Sequence, residues 1–594
     1  MADLDLSLHS GTFTGDINVF LNNNVANKND SWEGQSAHGV NNLIVGSGTF
    51  TLTQDLGNSN DLGDITIATG ATLNADNDTI RTAGDFTTSG GLLGASCYNC
   101  DSSSDYFANT GSINFRSDSA RDYTVEFWMK PDDVSGTKRL FHQYPHIAIR
   151  QNGATIDFFP NYNTLGATGS VLTAGKWTHV ACTWDTSENL ASIYIDGKLE
   201  KTFTDTTADT TGAAAIYLGR KHDGNQEYDG YLDEVRLWTD IRTESEIRAD
   251  MFQGGTLANS GNLFARWSLD EGTGTTSDNS EGTSGNDLTV VAGGWAGAGT
   301  FTYGTSTLVM AKSGTQTFSF AGGMDVNNLT VNDGSTTTLK CPADSGGRLD
   351  IYGNLTVNEV LNNTENEQIR MYTGGQTIAV ASDVRTTALA SLYKINMEHT
   401  SGTTNIPELT AARISCNGNG GTTTATGDLT VSTKLEADGG TTFNANGNTI
   451  NVVEVEVKNG GTFNLSNSTL NFYSGTGDAW TMGETSTLTT GNTTVTGANA
   501  GTPAGTPIYM PTSNASSSNF EIVGDVSLLV SYGETDLTVI GSVTNCTKNS
   551  DASIIRQWHH TLDTQQLLDA DSAGDDDLRL SKPALDNAHE LQTG

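Results

Sequence analysis

Residues 442–450 read Thr-Phe-Asn-Ala-Asn-Gly-Asn-Thr-Ile, and residues 462–470 read Thr-Phe-Asn-Leu-Ser-Asn-Ser-Thr-Leu, an offset of 20. A third copy, Thr-Leu-Asn-Ala-Asp-Asn-Asp-Thr-Ile, stands at 72–80. In each, an apolar residue (Leu73, Phe443, Phe463) precedes another (Ile80, Ile450, Leu470) by seven positions. Asn, Asp, Ser and Gly fill the gap; their short side chains bond the local backbone and tolerate the left-handed conformations of tight turns. Two short strands around a polar turn, repeated every 20 or so residues, form the pattern of a β-solenoid coil. One coil cannot bury its apolar side alone, but stacked coils can.

A shorter phrase extends the repeat along the chain. Asn or Asp, then Leu or Ile, usually Thr, then Val or Ile occurs at Asn42–Val45, Asp64–Ile67, Asn328–Val331, Asn354–Val357, Asp428–Val431 and Asp536–Val539. Leu43 to Ile65 is 22 residues and Leu329 to Leu355 is 26, both spans of one coil. Thr and Val suit pleated, half-buried positions. The repeat occurs before residue 95 and after residue 300 but not between. A separate domain inserted into one solenoid explains this. The expected divisions are 1–40, an attachment or capping segment; 41–95, the first part of the solenoid; 96–290, the insert; 291–550, the second part; and 551–594, a short tail, leucine-containing and readable as helical.

The 594 residues exceed what one core serves. With 69 acidic and 30 basic residues, the formal charge is −39. Such a surface repels phosphate backbones, which argues against nucleic acid, and blunts edge-to-edge strand pairing. No run of 18 apolar residues exists, so no membrane insertion is expected. The first residues, Met-Ala-Asp-Leu-Asp-Leu-Ser-Leu, do not read as a signal peptide. Cys182, Cys341, Cys416 and Cys546 are too scattered for a disulfide framework. Cys97 and Cys100 form a lone CxxC; a clip at a domain junction or two free thiols fit it better than zinc.

Residues 96–290 have a different texture, richer in aromatic residues and charge. Tyr123-Thr-Val-Glu-Phe-Trp-Met-Lys-Pro131 alternates Val125, Phe127 and Met129 with Glu126, Trp128 and Lys130, a period of two. Gly175-Lys-Trp-Thr-His-Val-Ala-Cys-Thr-Trp-Asp185 is followed by Ala191–Leu199, a hairpin with Asp196-Gly197 at its turn. Next come Ile216–Gly219, Gly230–Trp238, a short helix around Thr243–Ile247, and Ala265–Gly272. In this order the motifs resemble the laminin-G-like, concanavalin-type jelly rolls, over about a third of the chain. The resemblance implies two antiparallel sheets packed face to face, with Trp128, Trp177, Trp184, Trp238 and Trp267 in the core.

The resemblance also implies carbohydrate or protein-ligand binding, often with a calcium ion on the rim. Asp233 stands where related modules place a ligand to that ion; capping a turn or pairing with an arginine are its alternatives. Calcium needs six to eight oxygens, and the sequence offers one clear candidate. Polar loops carrying a ring suit sugars, because rings stack on sugar faces and amides fix hydroxyls. By that criterion the candidate contacts are His222, Asn225 and Tyr228 in one loop, Tyr144 and His146 in a turn, and Tyr162 in another; each also reads as an ordinary exposed loop residue.

No GxSxG, HExxH or P-loop is present, and no carboxylate pair stands in a distinctive phrase, so binding rather than catalysis is expected. Asp569–Asp577 has acids at the first and third positions of a calcium loop, but Ala573 and Leu580 break it at the fifth and twelfth, leaving an acidic linker. His559-His560 is too isolated for a metal site. The solenoid with a laminin-G-like insert resembles appendage proteins of marine phages. That implies a virion part (tail fibre, tailspike-like protein or capsid fibre) that binds a host-surface polysaccharide or receptor and contacts other virion proteins. By analogy with virus fibres it would be a homotrimer. A bacterial secreted adhesin and a polysaccharide depolymerase acting in the solenoid groove stay open.

Overall fold

The structure, a computed structural model, describes residues 40–472 apart from short loop segments. Beyond them it describes strands only: Ala2–Leu4, Ile17–Leu21 and Val25–Asn27 on one side, and strands from Trp480–Met482 to Ile554–Gln557 on the other. The expected helical tail, the His559-His560 pair and the 569–577 acidic run lie outside the described residues.

The repeated phrases form parallel strands in register. Thr442–Asn444 pairs with Thr462–Asn464, so Phe443 sits opposite Phe463, with ring centroids 5.1 Å apart and nearly parallel. Ile450 sits opposite Leu470 in the next strand. Leu73, Phe443, Phe463, Ile80, Ile450 and Leu470 are all fully buried. The Asn that follows the first apolar residue has the same task in each copy. Its side-chain oxygen accepts the N–H two residues on: Asn74 from Asp76 (3.3 Å), Asn444 from Asn446 (3.1 Å) and Asn464 from Ser466 (3.1 Å). These Asx turns form the polar corner of the coil. Asp76 and Asn446 adopt positive φ (49° and 55°) at equivalent positions, which Asn and Asp tolerate better than other side chains.

The second phrase behaves likewise. Leu43, Ile65, Leu329, Leu355 and Leu429 point inward and are fully buried, while Thr330, Thr356 and Thr430 lie half-buried on the outer face. The copy at Asp536–Val539 lies on the strand Glu534–Ile540, of whose side chains nothing is described. A single apolar core runs from Val19 to Phe472. Each fully buried Leu, Ile or Phe contributes about 1.5–3 kcal/mol relative to an exposed one. Strands of the N-terminal stretch join the solenoid sheets: Ile17–Leu21 pairs in parallel with Val40–Val45, and Val25–Asn27 with Gly48–Thr51.

The insert leaves the stacking unbroken. Leu73 in the last coil before it sits opposite Phe301 in the first coil after it; Ile80 sits opposite Leu308, and Phe86 opposite Phe318. Coils separated by more than 200 residues of sequence are therefore direct neighbours.

Between them, the strands from Cys97–Cys100 to Gly294–Ala296 form two antiparallel eight-stranded sheets. The first sheet is ordered Lys198–Thr204, Leu190–Ile195, Thr178–Asp185, Tyr123–Pro131, Gly230–Trp238, Cys97–Cys100 and Gly294–Ala296, with Leu263–Trp267 also on Gly230–Trp238. The second is ordered Gly166–Ala167, Thr155–Phe159, Ile147–Asn152, Thr137–Gln143, Gly212–Leu218, Tyr106–Arg116, Leu288–Val291 and Thr276–Ser277. Val125, Phe127 and Met129 enter the core between the sheets with Trp184 and Trp267. Asp196 (φ 49°) and Gly197 (φ 70°) make the expected hairpin turn. Thr243 caps the helix Glu244–Asp250, with Glu246 completing a capping box. Among the described residues no helix is long and apolar enough to cross a membrane.

Alternation along Tyr123–Pro131 does not end in exposure, because all nine residues are buried. The outer face of this sheet packs against the solenoid. Trp128 and Trp177 join Ile44, Ala68, Leu92 and Leu93 in a small interfacial core, and Trp128 meets Phe20 edge-on at 5.4 Å. Trp238, also buried, donates its Nε1–H to Glu126 (2.9 Å). Cys97 and Cys100 are free, buried thiols, Cys97 at this interface and Cys100 in the core between the sheets.

Candidate functional site

One sheet is docked on the stalk; the outer face of the other carries a cluster of rings and polar side chains. Thr137–Gln143 shows how the chain furnishes it. Leu140 and Phe141 enter the core across a register shift, leaving Arg139 and His142 on the outer side. Cross-strand pairing extends two rows from them. Arg139 faces Arg150, which faces Asp157; His142 lies between Tyr217 and Ala148, and Ala148 faces Phe159. Arg150 bonds Asp157 (Nε to Oδ2, 2.8 Å) and lies 4.9 Å from the Phe159 ring centroid. Arg220 covers the Tyr106 ring at 3.3 Å.

Three loops bring rings to the edge of this floor. The turn after Thr137–Gln143 presents Tyr144, 46% exposed. The turn after Thr155–Phe159 presents Tyr162, held at φ 66°. The 221–228 loop presents His222, whose ring stacks on Tyr144 at 4.1 Å and 8°. Tyr144 meets Tyr162 edge-on at 5.0 Å, and His142 lies beneath, 5.5 Å from Tyr162 and 5.0 Å from His222.

The polar atoms here are under-used. His142 Nδ1 accepts the His222 N–H at 3.0 Å, so a neutral His142 carries its proton on Nε2. Burial, aided by Arg139, His222 and Lys221, pushes the His142 pKa down to about 3, which keeps the ring neutral. Its Nε2, the Nε and Nη1 of Arg139 and the Nε of Arg220 are buried with no protein acceptor. Buried donors normally have partners, so these unmet donors stand out. Rings with free donors and guanidinium groups can stack on a sugar face and bond its oxygens.

Of the residues singled out in the sequence, Tyr144, Tyr162 and His222 come together here. Asn225 is exposed on the same loop, its backbone oxygen accepting the Lys221 N–H at 3.0 Å. Tyr228 does not join them. Its ring is buried in the core between the sheets, and its hydroxyl donates to the Tyr231 carbonyl at 3.4 Å. His146 is buried too, and its N–H bonds the Gln143 carbonyl to close the Tyr144 turn. Arg139, His142, Arg220 and Phe159 went unread, because alternating polar residues on a strand look like any solvated face.

Asp233 is elsewhere, fully buried where the chain leaves the solenoid. Its Oδ2 accepts the backbone N–H groups of Leu92 (2.8 Å) and Leu93 (3.1 Å). Burial, with Asp270 and Glu234 close by, pushes its carboxyl well above the usual range, and the two amides offset only part of this. Its other oxygen, Oδ1, is buried with no protein partner. Among the described residues no group of three or more His, Cys, Asp or Glu could hold a metal ion. Through Oδ2, Asp233 caps the exit turn.

Two antiparallel sheets packed face to face define a jelly roll, here with rings clustered at one sheet. Residues 101–248 match the family model described as the concanavalin A-like lectin/glucanases superfamily, Laminin_G_3. C-reactive proteins 1.1 and 3.3 of Limulus polyphemus are similar to this region, each 22% identical over 149 residues, which cover 22% of this chain and 60% of the relative. The chain thus spans less than two thirds of the length of these relatives. Similar solved structures include the heptameric SAP-like pentraxin of Limulus polyphemus (12% identity, TM-score 0.26, 34% of this chain and 94% of that one). Another is the CBM40 module of the Ruminococcus gnavus IT-sialidase bound to α2,3 sialyllactose (11% identity, TM-score 0.23, 26% of this chain and 96% of that one).

Proposed function

We propose that this chain is a binding protein in which the jelly roll captures a glycan and the solenoid is the stalk that presents it. One observation carries the reading: the exposed Tyr144 ring and its neighbours Tyr162 and His222 sit beside buried donors without acceptors, at the sheet other than the one packed on the solenoid. Aromatic rings beside unsatisfied donors suit a sugar, which offers both an apolar face and hydroxyl oxygens. The match to a family of lectins and glucanases supports the same class of ligand. No step of catalysis is needed to account for these residues.

The wider reading is a particle appendage that attaches a virion to a host-surface polysaccharide. The repetitive stalk and the acidic, self-repelling surface support it. Antibodies against the jelly roll, imaged by negative stain on particles from a producing culture, test it; unlabelled particles beside labelled cell envelopes would favour an adhesin instead.

Glycan binding is tested by screening the full chain against an array of surface polysaccharides and titrating the best ligand. Tyr144→Ala should weaken binding about 10- to 100-fold, the loss of a stacking platform. Tyr393→Ala, at an exposed tyrosine on the solenoid, should leave it unchanged. Equal effects from both substitutions, or none from either, would remove the site from this face.

A further inference from the structure

Arg139 is only 3% exposed, yet no ion pair is formed by it among the described residues. Its Nη2 donates to a neutral partner, the Gln226 side-chain oxygen, at 3.0 Å. Its Nε and Nη1 have no acceptor. The cation opposite it, Arg150, is already matched by Asp157. The row Arg139–Arg150–Asp157 therefore holds two cations and one anion. Burial, which outweighs the pull of Asp223 and Asp157, lowers the Arg139 pKa to about 10; the guanidinium stays charged at neutral pH.

An uncompensated buried charge is costly, and proteins keep one where something else supplies the counter-charge. The counter-charge that Arg139 lacks is an anion, and it would be held by this local charge against the chain's overall −39. A guanidinium offers a planar array of donors that matches carboxylate, sulfate or phosphate oxygens. His142 Nε2–H, on the same face, is a second unmet donor.

Resting on the glycan-binding reading above, we propose that the ligand is an acidic saccharide whose anionic group pairs with Arg139 while a neighbouring sugar ring lies against Tyr144. Carboxylate and sulfate share the required chemistry, and the choice between them is an arm of the test.

The full chain is titrated with a carboxylated polymer (alginate), a sulfated one (a sulfated galactan) and a neutral one (dextran), at low and at physiological salt. The proposal expects at least one acidic polymer to bind more than 10-fold tighter than dextran, with affinity falling as salt rises. Arg139→Gln should abolish that preference, while Arg139→Lys keeps part of it. Because Arg139→Gln removes an unmatched charge, its melting temperature should equal or exceed that of the wild type. A purely structural arginine would instead destabilise the fold when removed. Alginate alone binding assigns a carboxylate; the sulfated galactan alone assigns a sulfate. Binding of dextran as tight as that of the acidic polymers overturns the proposal and spares glycan binding. Unchanged acidic binding by Arg139→Gln also overturns it. Failure of all three polymers, and of every glycan on the array, overturns the glycan reading as well.

Discussion

Lys130, carried by the jelly roll, donates its Nζ to the carbonyl oxygen of Thr69 in the solenoid at 2.6 Å. Its ammonium also lies over the Tyr231 ring, 4.9 Å from the centroid. Burial lowers its pKa, partly offset by Cys97 and Asp132. The insert is therefore not tethered by its two chain crossings alone; a charged side chain is desolvated to hold it. Lys130→Met keeps the stem and removes the donor. It should cost about 1–2 kcal/mol at the junction and increase hydrogen exchange at residues 68–70 and 90–96, with the jelly-roll strands unaffected. Unchanged exchange there would mean that apolar contacts around Trp128 suffice.

Asp233 fixes the same junction from the other side through the Leu92 and Leu93 amides. Asp233→Ala leaves two buried N–H groups without an acceptor and should cost about 2–3 kcal/mol. Asp233→Asn retains an accepting oxygen and should cost far less. Chelation by EDTA should leave the wild-type melting temperature unchanged. A drop on chelation that calcium restores would return Asp233 to the role of metal ligand.

Stacked coils couple mainly to their neighbours, so damage in one should stay local. Phe443→Ala removes a fully buried ring from the Phe463 stack and should cost about 3–5 kcal/mol by cavity formation. Thermal unfolding followed by hydrogen exchange should show the coils near residue 443 opening first, with Trp184 and Trp267 in the jelly roll still protected. A single cooperative loss of both would show that the insert and stalk unfold as one unit.

What the sequence disclosed and what it hid follow from periodicity. Leu73, Phe443 and Phe463 were legible because each repeats in a fixed relation to an Asn that makes a turn, so position implied direction. The five tryptophans were legible as buried because four lie in strands and Trp177 directly precedes one. The side of burial was not: Trp128 and Trp177 pack on the solenoid rather than between the sheets, and nothing in a period of two says which neighbour covers the second face. Tyr228 was misplaced for a related reason. It stands two residues before the strand Gly230–Trp238, close enough for its ring to turn into the core. Arg139 and His142 were invisible because what distinguishes them is a missing partner, a property of three-dimensional neighbours alone.

Acid should weaken the second part of the solenoid through Glu436. Burial alone would raise this carboxyl, but hydrogen bonds from Lys458 (2.6 Å), Ser415 and Arg413 (2.8 Å) outweigh it and hold the pKa at about 2. A carboxylate with a depressed folded-state pKa stabilises the fold above its unfolded value, near 4.5, and that stabilisation is lost as pH falls toward 2. Lys458 and Arg413 keep contact with water, which screens the cluster, so the expected contribution is about 1–2 kcal/mol. Urea unfolding of the 400–472 region should therefore show a midpoint that declines between pH 4.5 and 2. Glu436→Gln should be less stable at neutral pH and show a shallower decline across that window. A variant curve parallel to that of the wild type would show that Glu436 does not carry the acid sensitivity.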